Sequence, residues 1–269
     1  MIKAKFVFRG LGVTLVALAS SVGCERASRH SVGLLGSTSI QPFAEVLAEQ
    51  YMKKSPGQFV EVQGGGSTAG LQGAANGLAD IGMCSRALTA QESSQFAQIL
   101  IARDGLAVVV NLENPIVGLS LEQLRDVFAG RTTNWMEVGG RDGPIRPITR
   151  EEGSGTRESF VRLVMKKERI SRRAMTQESN GAVRELVKGD PATIGYMSLG
   201  LVGKELRAVV VGGAAPTVEN VLAARYALVR PLLFVTRGAA NPAAQAFVDF
   251  VLSTDGQKLL ETEGLVRAE

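Results

Sequence analysis

The chain has 269 residues, of which 45% are hydrophobic and 21% charged, and its formal net charge is +4. This composition is that of a globular protein long enough for two domains, and it excludes collagen-like and disordered classes. Residues 1–23 contain Lys3, Lys5 and Arg9 but no acid, so a chain without them has a formal charge of +1. Bulk charge therefore does not indicate a nucleic-acid partner.

The first residues have the pattern of a signal peptide. After the basic start come an apolar run at 11–18, too short to span a bilayer, then small residues and Cys24. We predict a signal peptide at 1–23, a lipidated Cys24 as the only membrane anchor, and a polar tether over 24–31. Ser21 stands where a lipobox usually has Leu, so an ordinary signal peptide cleaved nearby is the alternative.

Cysteine and histidine are scarce. The two cysteines are Cys24 and Cys84, so lipidation of Cys24 leaves Cys84 without a disulfide partner. Cys84 is expected to fill a small, partly buried position rather than act as a reactive thiol. The single histidine, His30, lies in the predicted tether, which argues against most histidine-based catalysis and zinc sites. We predict no metal and no cofactor.

Apolar spacing predicts alternating strands and helices. The first strand, 32–36, precedes a helix near Pro42 that places four apolar residues at helical spacing: Phe43, Val46, Leu47 and Tyr51. Next come a strand at 59–63, a helix carrying Leu71 and Leu78, and a strand beginning at 79–82. Later strands are predicted at 105–111, 145–149, 192–197, 207–211 and 226–236, and helices at 119–129, around 160–164 and at 247–260.

This alternation is typical of the α/β class. The runs 106–111 and 226–236 are candidates for two crossings between lobes. In that case lobe one is discontinuous, comprising residues 32–107 plus 232–269, and lobe two comprises residues 108–231.

Three loops share one design, in which small hydroxyl or glycine residues lie between a strand and a helix. They are Gly36–Ser39, Gly64–Thr68 and Gly153–Thr156. Unpaired amides at a helix start, with hydroxyl donors and glycines beside them, suit an oxyanion. For any one loop, helix capping and turn formation are the favoured explanation of these residues. Three such loops meeting at one cleft favour a binding site.

Two arginines complete the candidate set. Arg150 lies four residues before Ser154, and Arg86 follows Ser85. The forked guanidinium suits a tetrahedral oxyanion, although a surface salt bridge is the alternative for each arginine.

At these residues the chain resembles the phosphate-binding proteins of bacterial phosphate ABC transporters. The similarity covers nearly all of the chain after residue 23. It is carried by GSTSIQPF (36–43), VQGGGSTAG (62–70), ADIGMCSR (79–86), FAGRTTNW (128–135), TREEGSGTRESF (149–160), SNGAV (179–183), TIGYMSLG (193–200) and FVDFVLSTDGQKLLETEG (247–264).

The resemblance implies a two-lobed periplasmic-binding-protein fold, type II-like, in which each lobe is a mixed sheet flanked by helices and the ligand cleft lies between the lobes. It also implies phosphate ligands at specific positions. These are Thr38, Ser39, Ser67, Arg150, Ser154, Gly155 and Thr156, to which we add Ser85 and Arg86 from their place in the chain.

One position departs from the family pattern. Well-known members have an Asp where this chain has Ser85, and that carboxylate accepts the proton of phosphate, which excludes sulfate. A hydroxyl accepts a proton more weakly. Glu151 or Glu152 could supply the acceptor instead, and a solvated turn residue is the alternative for both.

The expected function is an exported receptor, not an enzyme, that captures inorganic phosphate and delivers it as a monomer to the permease and ATPase subunits of an ABC importer. It would lie on the periplasmic or cell-surface side of the membrane. Three alternatives stay open: the same fold binding sulfate, molybdate or tungstate; a phosphate sensor not coupled to transport; and a phosphate-releasing hydrolase, against which the lack of a base or acidic cluster argues.

Overall fold

The computed structural model describes residues 30–268. The predicted signal peptide and Cys24 lie outside these residues, as does most of the tether. The tether prediction was wrong at its end, because His30 and Ser31 already belong to the first strand.

The first part of the fold alternates strands and helices. Its elements are β1 (His30–Gly36), α1 (Gln41–Lys54), β2 (Gln58–Gly64), α2 (Ser67–Asn76), β3 (Ile81–Cys84), α3 (Ala90–Ser93) and β4 (Ala97–Asn111). Helix α1 begins at the predicted proline and buries Phe43, Leu47 and Tyr51. Helix α2 ends at Asn76 because Gly77 adopts a left-handed conformation, so Leu78 is exposed rather than helical as predicted.

The second part contains shorter elements. They are β5 (Gly118–Leu119), α4 (Leu121–Ala129), β6 (Arg146–Arg150), α5 (Gly155–Phe160), β7 (Met175–Gln177), α6 (Asn180–Gly189), β8 (Thr193–Ser198), β9 (Leu206–Ala208), β10 (Val210–Val211) and α7 (Val218–Leu222). A π-helical turn, Val161–Met165, continues α5. Helix α4 begins after Ser120, whose hydroxyl accepts from the Gln123 amide in a capping box.

The chain then returns to the first part through β11 (Val229–Thr236), α8 (Pro242–Leu252) and α9 (Thr254–Thr262). The sequence predicts one helix over 247–260, but the structure has two. Ser253 adopts an extended conformation and its hydroxyl accepts from the Gly256 amide, which starts a new helix.

Among residues 30–268, nine strands form one sheet in the order β2-β1-β3-β11-β4-β8-β6-β7, with β9 also paired to β4. Strand β1 is parallel to β2 and β3, and β6 is parallel to β8 and β7. The long strands β4 and β11 pair antiparallel in the middle of the sheet. The α/β class predicted from the sequence is confirmed.

Two large hydrophobic cores lie on this sheet. The first core draws residues from 32–102 and from 232–265, including Leu34, Phe43, Phe234 and Phe247. The second core draws on 106–228 plus Val266, and in it Phe160 stacks on Tyr196 with ring centroids 4.0 Å apart. Within the described part of the chain, no helix is both long and apolar enough to cross a membrane.

Candidate functional site

The carboxyl ends of the parallel strands bring three loops to one edge of the sheet. Ser37 follows β1, Ser67 lies just beyond β2, and Ser85 follows β3. All three are buried, and the Ser37 hydroxyl donates to Ser85 Oγ at 2.8 Å, while the Ser85 amide donates to Ser67 Oγ at 3.0 Å. This is the edge at which ligands bind in open α/β sheets. Ser37, Ser67 and Ser85, together with three residues described below, form what we call the hydroxyl cluster. Its members are Ser37, Thr38, Ser39, Ser67, Ser85 and Thr156.

The first loop turns sharply because of Gly36. Its φ is 141°, and a Cβ there would lie 2.3 Å from the carbonyl oxygen of Met83. Only glycine allows this approach, which lets the Ser37 amide donate to the same carbonyl at 2.9 Å. The loop therefore lies directly against the end of β3.

The second core contributes the opposite side of the cluster. Ser39 Oγ lies 2.7 Å from Thr156 Oγ1, and Arg150 Nη2 donates to Thr38 Oγ1 at 3.0 Å. The Thr68 amide donates to the Gly153 carbonyl at 3.1 Å. The loop after β6 thus contacts both the first and the second loop directly.

Arg150, at the end of β6, is 1% exposed. Its Nε and Nη2 donate to the Glu151 carboxylate at 2.8 and 2.9 Å, and to the carbonyls of Gln177 and Glu178 at 3.0 Å each. Arg150 Nη1 is buried and has no hydrogen-bond partner among the described residues. A buried cationic donor without an acceptor is costly, so this nitrogen is suited to an anionic ligand.

Gly155 brings the third loop against the first core. A Cβ at this position would lie 2.2 Å from Ser67 Oγ and 2.7 Å from Ser85 Oγ. A side chain at position 155 would therefore overlap with the Ser67 and Ser85 hydroxyls, so only glycine allows the backbone to come this close to them. Seven of the predicted site residues lie together here: Thr38, Ser39, Ser67, Ser85, Arg150, Gly155 and Thr156.

The other two predicted ligands have hydrogen-bond or ion-pair partners outside the hydroxyl cluster. The Ser154 hydroxyl accepts from the Arg157 amide and caps α5. The prediction for Arg86 is corrected by its ion pairs: Nη1 and Nη2 donate to the two Glu92 oxygens at 2.7 and 2.8 Å, and Nε lies 2.6 Å from Glu158. Arg86 lines a separate surface cavity of about 740 Å³ together with Arg157 and Lys166.

An arginine that contacts the cluster was not predicted from the sequence. Arg230, in β11, donates from Nη1 to Thr156 Oγ1 at 2.7 Å, and its Nε and Nη2 donate to Asp104 Oδ2 at 3.0 and 2.8 Å. Both side chains are fully buried. Burial raises the pKa of Asp104, and the adjacent Arg230 charge opposes that rise. The sequence did hold a signal for this pair, because Asp104 and Arg230 are charged residues within the apolar strands β4 and β11.

An asparagine was missed as well. Asn180, the first residue of α6, donates from Nδ2 to Ser39 Oγ at 2.9 Å. The segment SNGAV contributed only to the family resemblance, because nothing local in it indicates a contact with a residue 141 positions away.

Within residues 30–268, no cluster hydroxyl is hydrogen-bonded to a carboxylate. Glu151 is held by Arg150, and Glu152 is exposed. No group of three or more possible metal-ligating side chains occurs in the same residues. Cys84 is fully buried, more so than predicted, and burial raises the pKa of its thiol. The hydroxyl cluster, together with Arg150, is therefore a set of neutral and cationic donors suited to an oxyanion.

Comparisons with known proteins agree with this chemistry. A family model described as a PBP superfamily domain matches residues 25–255. The phosphate-binding protein PstS of Bacillus subtilis (strain 168) is 29% identical over 248 residues, which cover 91% of this chain and 82% of the relative.

Two solved structures are more similar in sequence. A phosphate ABC transporter substrate-binding protein from Clostridium perfringens, with bound phosphate, is 36% identical and has a TM-score of 0.86, covering 89% of this chain and 100% of that chain. An ABC-type phosphate transport receptor from Vibrio cholerae is 38% identical and has a TM-score of 0.74, covering 87% and 99%.

Proposed function

Because the chain belongs to the PBP superfamily and to the phosphate-binding receptors within it, we propose that it captures inorganic phosphate outside the cytoplasm and delivers it to an ABC importer. The fold is two-lobed and α/β. We place lobe one at 32–107 plus 232–269 and lobe two at 108–231. The two cores separate between residues 102 and 106 and between 228 and 232, which supports this division except that Leu106 and Val266 pack in the second core.

The observation that carries the proposal is the buried Arg150 Nη1. Leaving a buried donor unpaired costs about 1–3 kcal/mol, and a charged donor costs more. A phosphate oxygen would satisfy it with a charge-assisted hydrogen bond. Neighbouring hydroxyls of Thr38, Ser39, Ser67 and Thr156 would donate to the other oxygens. The proposed ligands are Thr38, Ser39, Ser67, Ser85, Arg150, Ser154, Gly155 and Thr156.

These donors are sufficient in energy. Charge-assisted hydrogen bonds contribute about 1.5–3 kcal/mol each, whereas micromolar affinity requires about 8 kcal/mol in total. Several such bonds, less the cost of closing the lobes and removing water, account for micromolar or tighter binding. We propose no catalytic role, since the cluster contains no nucleophile paired with a base.

A specific observation favours a second candidate, a receptor for another tetrahedral oxyanion. Position 85 has a hydroxyl instead of a carboxylate, and no carboxylate among the described residues bonds to the cluster. Sulfate, which carries no proton near neutral pH, would then meet no repulsion. Competition between the two anions distinguishes the candidates.

The proposal includes export and anchoring. A signal peptide at 1–23 and a lipidated Cys24 would hold the receptor at the periplasmic or cell-surface face, where it would act as a monomer beside the permease and ATPase subunits. Mass spectrometry of the protein from membranes, compared with a Cys24→Ala variant, tests the anchor.

The main experiment is a calorimetric titration of residues 25–269 with inorganic phosphate, using sulfate and molybdate as competitors. Tight phosphate binding that resists both competitors is the expected result. Displacement of phosphate by sulfate would favour the second candidate, and no binding of any of the three anions would contradict the proposed function.

A further inference from the structure

Two hydroxyls in the cluster receive hydrogen bonds from buried side chains behind them. Ser39 Oγ accepts from Asn180 Nδ2 at 2.9 Å, and Thr156 Oγ1 accepts from Arg230 Nη1 at 2.7 Å. A hydroxyl has one proton to donate and two acceptor lone pairs. A fixed donor behind each oxygen therefore leaves its proton available for a partner in front.

The amide of Asn180 has a defined orientation. The Ser198 amide donates to Asn180 Oδ1 at 3.1 Å, so the Nδ2 group must point the other way, toward Ser39. Asn180 is 2% exposed, so water does not compete for either end of its side chain. A rotated amide would place the Nδ2 donor against the Ser198 N–H, which is also a donor, so that orientation is disfavoured.

Arg230 is fixed even more firmly. Asp104 Oδ2 accepts from both Nε and Nη2, and the Leu199 amide donates to Asp104 Oδ1 at 3.2 Å. Arginine has donors only, so Arg230 Nη1 cannot accept from Thr156. Arg230 Nη1 also donates to the Ser85 carbonyl oxygen at 3.4 Å, so this one nitrogen contacts residues on both sides of the cluster.

Resting on the proposed function, we propose that Asn180 and Arg230 are positioning residues that set the hydrogen-bond direction of Ser39 and Thr156, so that both hydroxyls donate to deprotonated oxygens of the bound phosphate. The 2.7 Å contact between Ser39 Oγ and Thr156 Oγ1 uses the proton of one of the two hydroxyls, so this contact must give way to the ligand before both can donate to phosphate. An oxygen of phosphate that carries a proton must then face another part of the cluster.

A double-mutant cycle tests the Asn180 part, because a residue that acts through Ser39 has no effect once Ser39 lacks its hydroxyl. Phosphate affinity is measured by calorimetry for Asn180→Ala, Ser39→Ala and the double variant. We expect Asn180→Ala to weaken binding about threefold to tenfold alone, and less than about twofold in the Ser39→Ala background.

The control is Asn111→Ala. Asn111 is also a buried asparagine, and its Nδ2 donates to the carbonyls of Val187 and Lys188, away from the cluster. It should lower the melting temperature without changing phosphate affinity. This separates loss of a buried amide from loss of the hydrogen bond to Ser39.

The Arg230 part uses a paired change, since removing one charge would leave the other buried and unpaired. Asp104→Asn with Arg230→Met is combined with Thr156→Val, and thermal melting checks that each variant folds. The loss of affinity should again be smaller in the Thr156→Val background.

Equal losses in both backgrounds, or no loss in the Asn180→Ala variant, would overturn the positioning role while leaving phosphate binding intact. Absence of phosphate binding by the unsubstituted protein would overturn the proposed function together with this inference.

Discussion

A buried arginine lies at the carboxyl end of β3 and another at that of β6, yet the two arginines differ in what faces them. Arg86 is 6% exposed and its guanidinium meets the carboxylates of Glu92 and Glu158. Arg150 is 1% exposed and pairs with a single carboxylate, that of Glu151. Its Nη1 has no partner among the described residues. Burial alone therefore does not distinguish the two arginines, whereas the presence of a buried nitrogen with neither a hydrogen bond nor an ion pair among the described residues does.

The Arg86 segment is organised as a structural clamp. Glu92 accepts from the Thr89 amide in a capping box, and it accepts from Arg86 at the same time. The hydrogen bonds from Arg86, more than any other contact, lower the pKa of Glu92 to about 2. The pair thus ties the end of β3 to α3, and Glu158 ties both to α5.

The largest expected effect is that of Arg150→Ala. Loss of the unpaired donor should weaken phosphate binding about 10- to 100-fold, because a charge-assisted hydrogen bond is removed from the ligand. Calorimetry measures the change. The control is Arg146→Ala, since Arg146 lies in the same strand but is exposed and paired with Asp190. Equal affinities for the Arg150→Ala variant and the unsubstituted protein would remove Arg150 from the site.

Gly155→Ala should follow, with affinity reduced about tenfold because a Cβ cannot share space with the two hydroxyls beside it. That Cβ would lie 2.2 Å from Ser67 Oγ. Gly189→Ala, where nothing lies within 4 Å of the added carbon, is the matched control. Unchanged phosphate affinity in the Gly155→Ala variant would mean that the loops separate without cost.

Arg86→Ala should change phosphate affinity less than about threefold, while the free energy of unfolding falls by about 1–3 kcal/mol as two carboxylates lose their partner. Arg131→Ala is the control, because Arg131 also pairs with two carboxylates but is 48% exposed. It should cost less than about 1 kcal/mol. A large loss of affinity with unchanged stability would reverse the comparison between Arg86 and Arg150.

The smallest effect concerns pH. The folded pKa of Glu92, about 2, lies below the value of about 4.3 expected in an unfolded chain, so its ionised form stabilises the fold above that value. That contribution is lost as pH falls toward 2. The stability difference between the unsubstituted protein and a Glu92→Gln variant, from urea unfolding, should therefore shrink from pH 5 to pH 2.5. A constant difference would show that ionisation of Glu92 is not its source.

The contrast also shows what the sequence could predict. Gly36, Ser67 and Gly155 lie at junctions between a strand and a helix, which the local sequence predicts correctly. The ion pairing of Arg86 could not be predicted in full, because one of its carboxylate partners, Glu158, is distant in the chain. Arg230 and Asp104 were missed because they are separated by 126 positions and meet only when β4 and β11 pair. The break between α8 and α9 depends on how one serine, Ser253, bonds.

The composition of the first core has a consequence for the order in which the protein folds. Its residues come from 32–102 and from 232–265, so about 130 residues of chain separate its two halves. At the usual speed of protein synthesis this gap takes roughly ten seconds to fill, during which the early strands lack their final neighbour. The second core, almost all within 106–228, can close first. A chain built this way stays incompletely folded until β11 has been synthesised.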